Sequence, residues 1–445
     1  MDGIVKHPGG CLVVVACVIA SGPRPAAAQR TVVQADAAVN VGYTQTTRGT
    51  FQADPNAQAA DIQDKSLGGF FTEIRPGVSL QTGSPRLTWR AGYAFSGNLS
   101  LSGEQLGSYT NAGSASLAAE ATKFTTLTLA ASIAQGGTSF LLAQRPADTG
   151  QPELRAPDNP NLITVSLAES IAWEAAKHLT VQHSLIGNAS APQDAIGDRN
   201  TALTATLSLD RVYVRDIVGL EARAGVSWLR PLRADLDAYM SLTNSLVGRW
   251  SHDFSPGWNG QVTAGVEQVF TDTGSEPLAI LPTGSASLRF TAYNTAASLD
   301  FTHGTATNLQ VGSVSVTDRV TARGIITLDP LEVRALSFSA GILHNEPLGE
   351  VAAVVAAGTG NAVQGDAGFT TAISRYILAS ARYSVAYQFD QGGNLAPTLA
   401  HIFLIGLTAS YKNTERPQRP LPARGRRVDR SDAEGFPVID DTPTP

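Results

Sequence analysis

Charged side chains recur in this sequence at alternate positions of segments that are otherwise apolar or small. In the stretch 85–95, which reads PRLTWRAGYAF, Arg90 falls on the strand face opposite Trp89 and Tyr93, because successive side chains of an extended strand point to opposite sides. The charges that share this placement, and that we predict to line one surface, are Arg75, Arg90, Glu221, Arg223, Arg249, Glu267, Arg289, Asp300, Arg319, Arg323 and Arg382, with Glu73 and Asp210 on the same face. Arginines outnumber carboxylates in this set. The surface would therefore either attract acidic sugars or consist of ion pairs that stiffen a wall.

Other site chemistries find little support in the sequence. Asp54, Asp61 and Asp64 could offer carboxylate oxygens to calcium, but they lack the spacing of a known calcium loop, so solvated loop charge is favoured. Cys11 and Cys17 are the only cysteines and lie in a predicted leader, which excludes zinc-thiolate sites and cysteine catalysis from the mature chain. The formal net charge of -6 does not indicate nucleic-acid binding, and no phosphate-binding glycine loop occurs. We expect no cofactor and no bound metal.

Residues 1–28 have the layout of a signal peptide. A basic start precedes the apolar run 11–20, and the alanines at 26–28 predict cleavage before Gln29. The run is about ten residues long, which is too short to span a bilayer of about 30 Å. The alternative is a lipoprotein processing box, which would leave Cys17 lipidated.

From residue 29 to residue 413 the sequence repeats one unit, an alternating run of about 9 to 14 residues followed by a break. The runs 127–133, 203–209 and 382–389 are examples, and they have a period of two with no helical period between them. We predict eighteen strands, with sixteen as the alternative. Their predicted starts lie near residues 35, 69, 86, 108, 124, 161, 178, 200, 217, 237, 257, 283, 294, 311, 333, 363, 377 and 398.

The breaks between these runs alternate in length. Short breaks such as 83–85, 215–216 and 255–257 contain turn residues. Longer breaks lie around 49–68, 139–160, 190–200, 272–281, 346–362 and 390–397. Short and long connections at opposite ends are typical of an up-and-down barrel with periplasmic turns and external loops. The sequence therefore predicts an all-β fold, namely a closed antiparallel up-and-down transmembrane β-barrel.

The two faces of such strands have opposite assignments in soluble sheets and in membrane barrels. A soluble core built from all these apolar faces would be far larger than one domain normally has, and no linker divides the region. A mean hydropathy of -0.02 does not oppose a membrane barrel, because alternation averages the signal. We therefore place the apolar face against lipid and the charged face around a lumen.

Aromatic residues support this assignment, because they concentrate near strand ends as the girdles of membrane barrels do. They are Trp89, Phe95, Trp173, Tyr213, Trp228, Trp250, Trp258, Tyr293, Tyr376, Phe389 and Tyr411. At most three aromatic side chains are expected to point inward, which argues against a long stacking track for neutral sugars. Glu169, His183 and Arg334 fall on the lipid face, and each is expected near a membrane rim unless the register is in error.

An even number of strands returns the chain to the side on which it began, which is the periplasmic side. Beyond residue 413 the composition changes to prolines, a basic run at 424–427 and an acidic end. Residues 414–445 are therefore predicted to form a disordered periplasmic tail. The alternative is an arm that engages the cell wall or a partner.

The closing run 401–411 reads HIFLIGLTASY, which is apolar at alternate positions and ends in an aromatic residue. It resembles the assembly signal of Gram-negative outer-membrane β-barrels, although here it is not the chain terminus. The resemblance covers residues 29–413 and implies a cell outer-membrane location, in contact with lipid and lipopolysaccharide. The Ala/Ser/Thr-rich strands, short loops and lack of a plug domain are more narrowly similar to barrels of exopolysaccharide export, including the eighteen-stranded ones of myxobacteria.

The narrower resemblance implies a passive pore that carries a polysaccharide across the outer membrane. It would receive the polymer from a periplasmic or envelope-spanning export partner. A general or substrate-selective porin is the alternative within transport. A non-conducting structural or adhesion barrel is the alternative outside it.

An enzyme is the remaining class, because some outer-membrane barrels are hydrolases. The run His303-Gly304-Thr305 is similar to the His-x-Ser arrangement of the outer-membrane phospholipases, but the serine is absent and the run is expected in a loop. His183 and Ser184 are strand neighbours that point to opposite faces. Neither arrangement brings a base to a nucleophile, so we predict that the protein is not an enzyme.

Overall fold

The computed structural model describes residues 30–48, 65–84, 86–101, 108–137, 161–192, 199–230, 238–272, 278–309, 312–329, 334–348, 360–389 and 398–412. The signal peptide 1–28 and the tail 414–445 lie outside the described residues and stay predictions. The same holds for Asp54, Asp61 and Asp64.

Eighteen antiparallel strands form one sheet. They are β1 Arg30–Arg48, β2 Lys65–Ser84, β3 Leu87–Ser100, β4 Ser108–Thr122, β5 Thr125–Gly137, β6 Asn161–Ala176, β7 Leu179–Pro192, β8 Asn200–Val212, β9 Asp216–Leu229, β10 Tyr239–Ser255, β11 Trp258–Thr271, β12 Leu278–Ala292, β13 Thr295–Asn308, β14 Ser313–Asp329, β15 Arg334–Pro347, β16 Gly360–Ser374, β17 Ile377–Phe389 and β18 Thr398–Lys412. β1 pairs with both β2 and β18, so the sheet closes on itself and the described strands leave no open edge. The predicted closed barrel of eighteen strands is confirmed, and the alternative of sixteen is wrong.

The predicted strand starts agree closely with the observed ones. β4, β6, β8, β17 and β18 begin at the predicted residues. The largest differences are at β1, predicted at 35 and observed from Arg30, and at β12, predicted at 283 and observed from Leu278. Two-residue turns such as 177–178 and 293–294 lie at one end of the barrel, which we call the turn end, and the longer connections lie at the loop end.

The strands are tilted against the barrel axis. A hydrogen-bonded row begins at Thr82, near the turn end of β2, passes through Trp89 and Glu169, and reaches Ile280 at the loop end of β12. A row that climbs about one strand length over ten strands corresponds to a tilt of roughly 40°. Each step to the next strand along a row therefore rises about 3 Å, because neighbouring strands lie about 4.8 Å apart.

The register assigns every described side chain to one face, because cross-strand partners share a face. The outer face carries large apolar side chains such as Val39, Leu299 and Ile405, each at least half exposed. Many outward aromatic residues lie near the two ends of the strands: Trp89, Trp173, Trp250, Trp258 and Tyr411 near the turns, and Tyr43, Phe70, Phe95, Trp228 and Phe270 near the loops. Tyr93, Phe301 and Tyr383 also face outward but lie near the middle of their strands. The stretch PRLTWRAGYAF thus turns its apolar side outward and Arg90 inward. Within the described ranges, no helix has the length and hydrophobicity needed to cross a membrane.

The three ionisable residues that the sequence placed on the lipid face, Glu169, His183 and Arg334, lie at different depths in the membrane. Arg334 is the first residue of β15 and lies at the turn end, as expected. Glu169 and His183 also face outward, so their register is correct, but they lie well inside β6 and β7 and the expectation of a rim position is wrong. Alternation fixes the face of a side chain, whereas its depth depends on strand tilt, which the sequence does not display.

Candidate functional site

The inner face of the barrel carries the charged residues that the alternation pattern predicted to share one surface. The register places Arg75, Arg90, Glu221, Arg223, Arg249, Glu267, Arg289, Asp300, Arg319, Arg323 and Arg382 on that face, together with Glu73 and Asp210. Arg289 pairs with Ser298, and Ser298 pairs with Arg323, so one row carries two arginines around the wall. That these residues line a water-filled channel stays a prediction.

Three adjacent strands, β8 to β10, hold a network of four charges. Arg249 Nη1 lies 3.3 Å from Glu221 Oε2 and 3.5 Å from Asp210 Oδ2. Arg223 Nη2 donates to Glu221 Oε1 at 3.0 Å. Arg249, Glu221 and Asp210 are largely buried, whereas about half of the Arg223 side chain is exposed. Much of this charge is therefore neutralised within the wall, as the pairing interpretation expects.

A second carboxylate, Glu73, is buried at the junction of β1, β2 and β3. Asn40 Nδ2 donates to Glu73 Oε2 at 2.6 Å, and Ser96 Oγ donates to Oε1 at 3.2 Å. Arg75 Nε lies 3.7 Å from the same Oε1 atom. The strand at which the barrel closes is thus joined to its neighbours by charge-assisted hydrogen bonds as well as by the ladder.

Sequence reasoning missed Asp366, which is a third centre on the inner face. It accepts hydrogen bonds from Arg382 Nη2 at 2.8 Å, Ser384 Oγ at 2.5 Å, Ser339 Oγ at 3.1 Å and Gln364 Nε2 at 3.1 Å. The inward position of Asp366 could have been predicted from the sequence, because Asp366 alternates with the outward residues of β16 as the other inward charges do on their strands.

Further charges face inward without having been predicted, among them Asp253, Glu120 and Glu174 near the turns. Asp36 and Lys412 lie on the inner faces of β1 and β18. With Asp366, these residues add five carboxylates and one cation to the described inner face, so the positive excess that the sequence suggested is offset.

The inner wall formed by β4 to β7 carries few charges. The inward residues of β5 and β7, over their described lengths, are small or polar with few exceptions, and those of β4 and β6 are uncharged apart from Glu120 and Glu174 near the turns. Ser114, Ser116, Ser132 and Ser166 are the hydroxyls at its centre, and Arg90 and Lys412 border it. The lumen therefore has a hydroxyl-rich side and a charged side.

At the loop end, the last residues of β13 and the first residues of β14 fold over the inner wall. We call the described residues 304–309 and 312–316 the mouth hairpin. Asn200 Nδ2, on β8, donates to the Leu309 carbonyl at 2.8 Å, and Tyr239 Oη, on β10, donates to the Gly312 carbonyl at 3.2 Å. The Thr305 amide donates to Glu267 Oε2, on β11, at 3.0 Å. The hairpin thus contacts the inner wall from β8 to β11.

Apolar packing completes this contact. Leu229, Tyr239 and Val269 face inward from β9, β10 and β11, and they are 1%, 5% and 2% exposed beneath Val314, itself 2% exposed. Alternation assigns Val314 to the outer face, so its burial against inward residues shows that the hairpin leaves the cylinder wall. Gly304 lies at the departure point, where a Cβ atom would come 2.7 Å from Thr283 Oγ1. The mouth hairpin narrows the loop-end opening.

The histidines that the sequence raised as catalytic candidates lie on the outer face. His303 was expected in a loop, but it lies in β13, where main-chain pairing with β12 and β14 holds it, so that expectation is wrong. Its Nδ1 atom is 2.6 Å from Asp318 Oδ1. His183 and Ser184 point to opposite faces. Among the described residues, no three His, Cys, Asp or Glu side chains are grouped as a metal site.

The arrangement as a whole is a closed cylinder with an apolar outer belt, aromatic girdles and a polar interior. A spanning sheet in lipid must close, because hydrocarbon offers no partner to an open edge. These are the properties of outer-membrane barrels. The chain is a β-barrel of the cell outer membrane.

No protein-family model and no curated protein matches this chain. It is similar to the solved structure of OccK9 (OpdG) from Pseudomonas aeruginosa, with 11% identity, a TM-score of 0.41 and coverage of 85% of this chain and 98% of that chain. A BenF-like porin from Pseudomonas fluorescens Pf-5 matches at 10% identity, covering 85% and 99% with a TM-score of 0.40. The siderophore receptor PirA from Pseudomonas aeruginosa matches at 10% identity, covering 84% and 80% with a TM-score of 0.39. Likenesses of this size carry no argument about function, which rests on the geometry of this barrel.

Proposed function

We propose that the protein is an outer-membrane channel for hydrophilic molecules and that its cargo is an extracellular polysaccharide. The observation that carries the proposal is the continuous polar inner face of a closed barrel of eighteen strands. Barrels of 16 to 18 strands are wide enough to leave an aqueous passage. A passive passage supplies no energy, so a periplasmic or envelope-spanning export partner would deliver the polymer.

The two sides of the lumen support a sugar polymer as cargo. The serine-rich wall of β4 to β6 offers hydroxyl groups that exchange hydrogen bonds with sugar hydroxyls. The row through Arg289 and Arg323 on the other side offers guanidinium groups, which bind carboxylates well. Phe71 and Tyr239 are the inward aromatic side chains of the described strands, and both are buried. Acidic sugars therefore fit this lumen better than neutral sugars that need stacking.

The first test is conductance of the purified mature protein in planar lipid bilayers. We expect discrete openings, because polar side chains line most of the inner face of a barrel of this size. An acidic oligosaccharide such as oligogalacturonate should reduce the current at lower concentration than dextran of equal length. Correctly folded protein that never conducts would contradict any channel function. Equal block by both sugars would leave a general porin and contradict the acidic cargo.

The mouth hairpin favours a second candidate, a barrel that conducts poorly and has a structural role. The hairpin covers the inner wall from β8 to β11 at the loop end. The same recording separates the two functions, because a structural barrel would insert without openings.

We also propose that the protein has no hydrolase activity. His303 faces outward beside Asp318, and its strand neighbours on the same face, Phe301 and Thr305, do not bring a serine to it. Release of fatty acid that disappeared in the His303→Ala variant would contradict this.

A further inference from the structure

Two ionisable side chains face the lipid belt without a partner in the described chain. Glu169 on β6 and His183 on β7 point outward, and neither makes a hydrogen bond or an ion pair to any described residue. Ionisable groups in contact with hydrocarbon are costly and are normally paired. Their position does not depend on whether the lumen conducts.

The depth of Glu169 follows from the row on which it lies. Trp89, in the girdle of the turn end, is three strands below it on this row, and Asn244, the first polar residue above it on the row, is four strands above it. Because a row rises about 3 Å per strand, Glu169 lies close to the middle of the belt.

His183 lies at nearly the same depth. Glu169 pairs with Leu185, which is one step up the row, and His183 is two residues nearer the turn end than Leu185. The step raises Leu185 by about 3 Å, and two residues of a tilted strand lower His183 by about 5 Å, so the two groups differ in depth by roughly 2 Å. Around them, Leu167, Ile171 and Leu207 are apolar.

We propose that this patch, defined by Glu169, Ile171, His183 and Leu185, is the contact between two copies of the chain in the membrane. A two-fold axis along the membrane normal preserves depth, so it sets the carboxylate of each copy against the imidazole of the other. Both complementary groups lie on one patch, and a patch that pairs with itself gives an isologous dimer rather than a larger ring. The contact removes two carboxylates and two imidazoles from lipid together.

The test uses charge exchange across the axis. The single variants Glu169→His and His183→Glu place like groups opposite each other, whereas the double variant restores both pairs in reversed order. We expect the wild type and the double variant to sediment as dimers in mild detergent, and each single variant to sediment as a monomer. Folding of each protein is checked by gel electrophoresis of unboiled and boiled samples, because a folded barrel migrates more slowly after boiling has unfolded it.

Cross-linking in native outer membranes gives a second measurement. The predicted mature chain lacks cysteine, so Leu185→Cys introduces a single thiol near the axis. We expect a disulfide-linked dimer on mild oxidation. The control is Leu299→Cys, which also faces lipid, is 50% exposed and lies on β13. The proposal would be overturned if the wild type were monomeric or trimeric, or if both single variants remained dimers. It would also be overturned if the double variant failed to restore dimers, or if the control cross-linked as well as Leu185→Cys.

Discussion

Asp366 is the residue on the inner face whose loss has the clearest expected cost. Its two oxygens accept hydrogen bonds from Arg382, Ser384, Ser339 and Gln364, and only 4% of its side chain is exposed. Removing one partner of a buried ion pair typically costs about 3 to 5 kcal/mol, because the other charge stays desolvated. We expect Asp366→Ala to lower the free energy of unfolding in lipid vesicles by that amount, measured by urea titration of tryptophan fluorescence.

The matched control removes one neutral donor from the same centre. Ser339→Ala deletes a single hydrogen bond to Asp366 and should cost about 1 kcal/mol. If the two variants unfolded at the same urea concentration, the carboxylate would not be the centre that holds β15, β16 and β17 together.

At this scale, alternation was enough to predict the face of each inward charge. A residue's parity along a strand does not depend on distant contacts, so the sequence alone was sufficient to place Arg289 and Arg323 on the inner face. The partners of each charge could not be predicted, because Arg249 meets Glu221 only through the pairing register of β9 and β10. The depth of Glu169 needed the tilt as well.

Among the elements, the mouth hairpin behaves differently from the wall. Its contacts join residues that are far apart in sequence, such as Asn200 and Leu309, which are 109 positions apart. Strand starts and turns could be predicted because turn residues and alternation are local signals. The inward fold of β13–β14 could not, since it depends on packing against Leu229 and Val269 of other strands.

A designed disulfide tests whether the hairpin lies inside the mouth. Ser227 Oγ of β9 and Thr307 Oγ1 of the hairpin are 3.5 Å apart, so cysteines at both positions need only a small shift to reach the S–S length of about 2.05 Å. We expect Ser227→Cys/Thr307→Cys to oxidise spontaneously and quantitatively. Non-reducing electrophoresis after proteolysis measures the linkage.

The control pair places one cysteine on the outer face of the same strand. Trp228→Cys combined with Thr307→Cys should remain reduced, because residue 228 points to lipid. Equal oxidation of both pairs would mean that the hairpin is not held against the inner wall. If the channel proposal is correct, reduction of the first pair should also leave conductance unchanged, since the hairpin already rests in the linked position.

The whole molecule combines closure, tilt and an uneven distribution of charge around the lumen. Closure follows from pairing of β1 with β18, in agreement with the closed barrel that the sequence predicted. The separation of a serine-rich wall from a charged wall follows from strand order, because β4 to β7 are neighbours and β8 to β18 with β1 to β3 complete the circle. A molecule passing through would therefore meet few fixed charges on the wall of β4 to β7 and most of them around the rest of the lumen.

The ion selectivity of the channel measures the net effect of the charged inner wall on permeating ions. Fixed charges act over a Debye length of about 10 Å at 0.1 M salt, so arginines of the wall bias the ions in a narrow aqueous passage. The double variant Arg289→Glu/Arg323→Glu reverses two charges on one inner row. We expect the ratio of chloride to potassium permeability to be lower in the variant than in the wild type, as read from the reversal potential in a KCl gradient. Arg334→Glu, which reverses a charge on the outer rim, should leave the ratio unchanged. A ratio that moved equally in both variants would show that surface charge at the turn end sets selectivity, whereas no change in either would mean that current does not pass this wall.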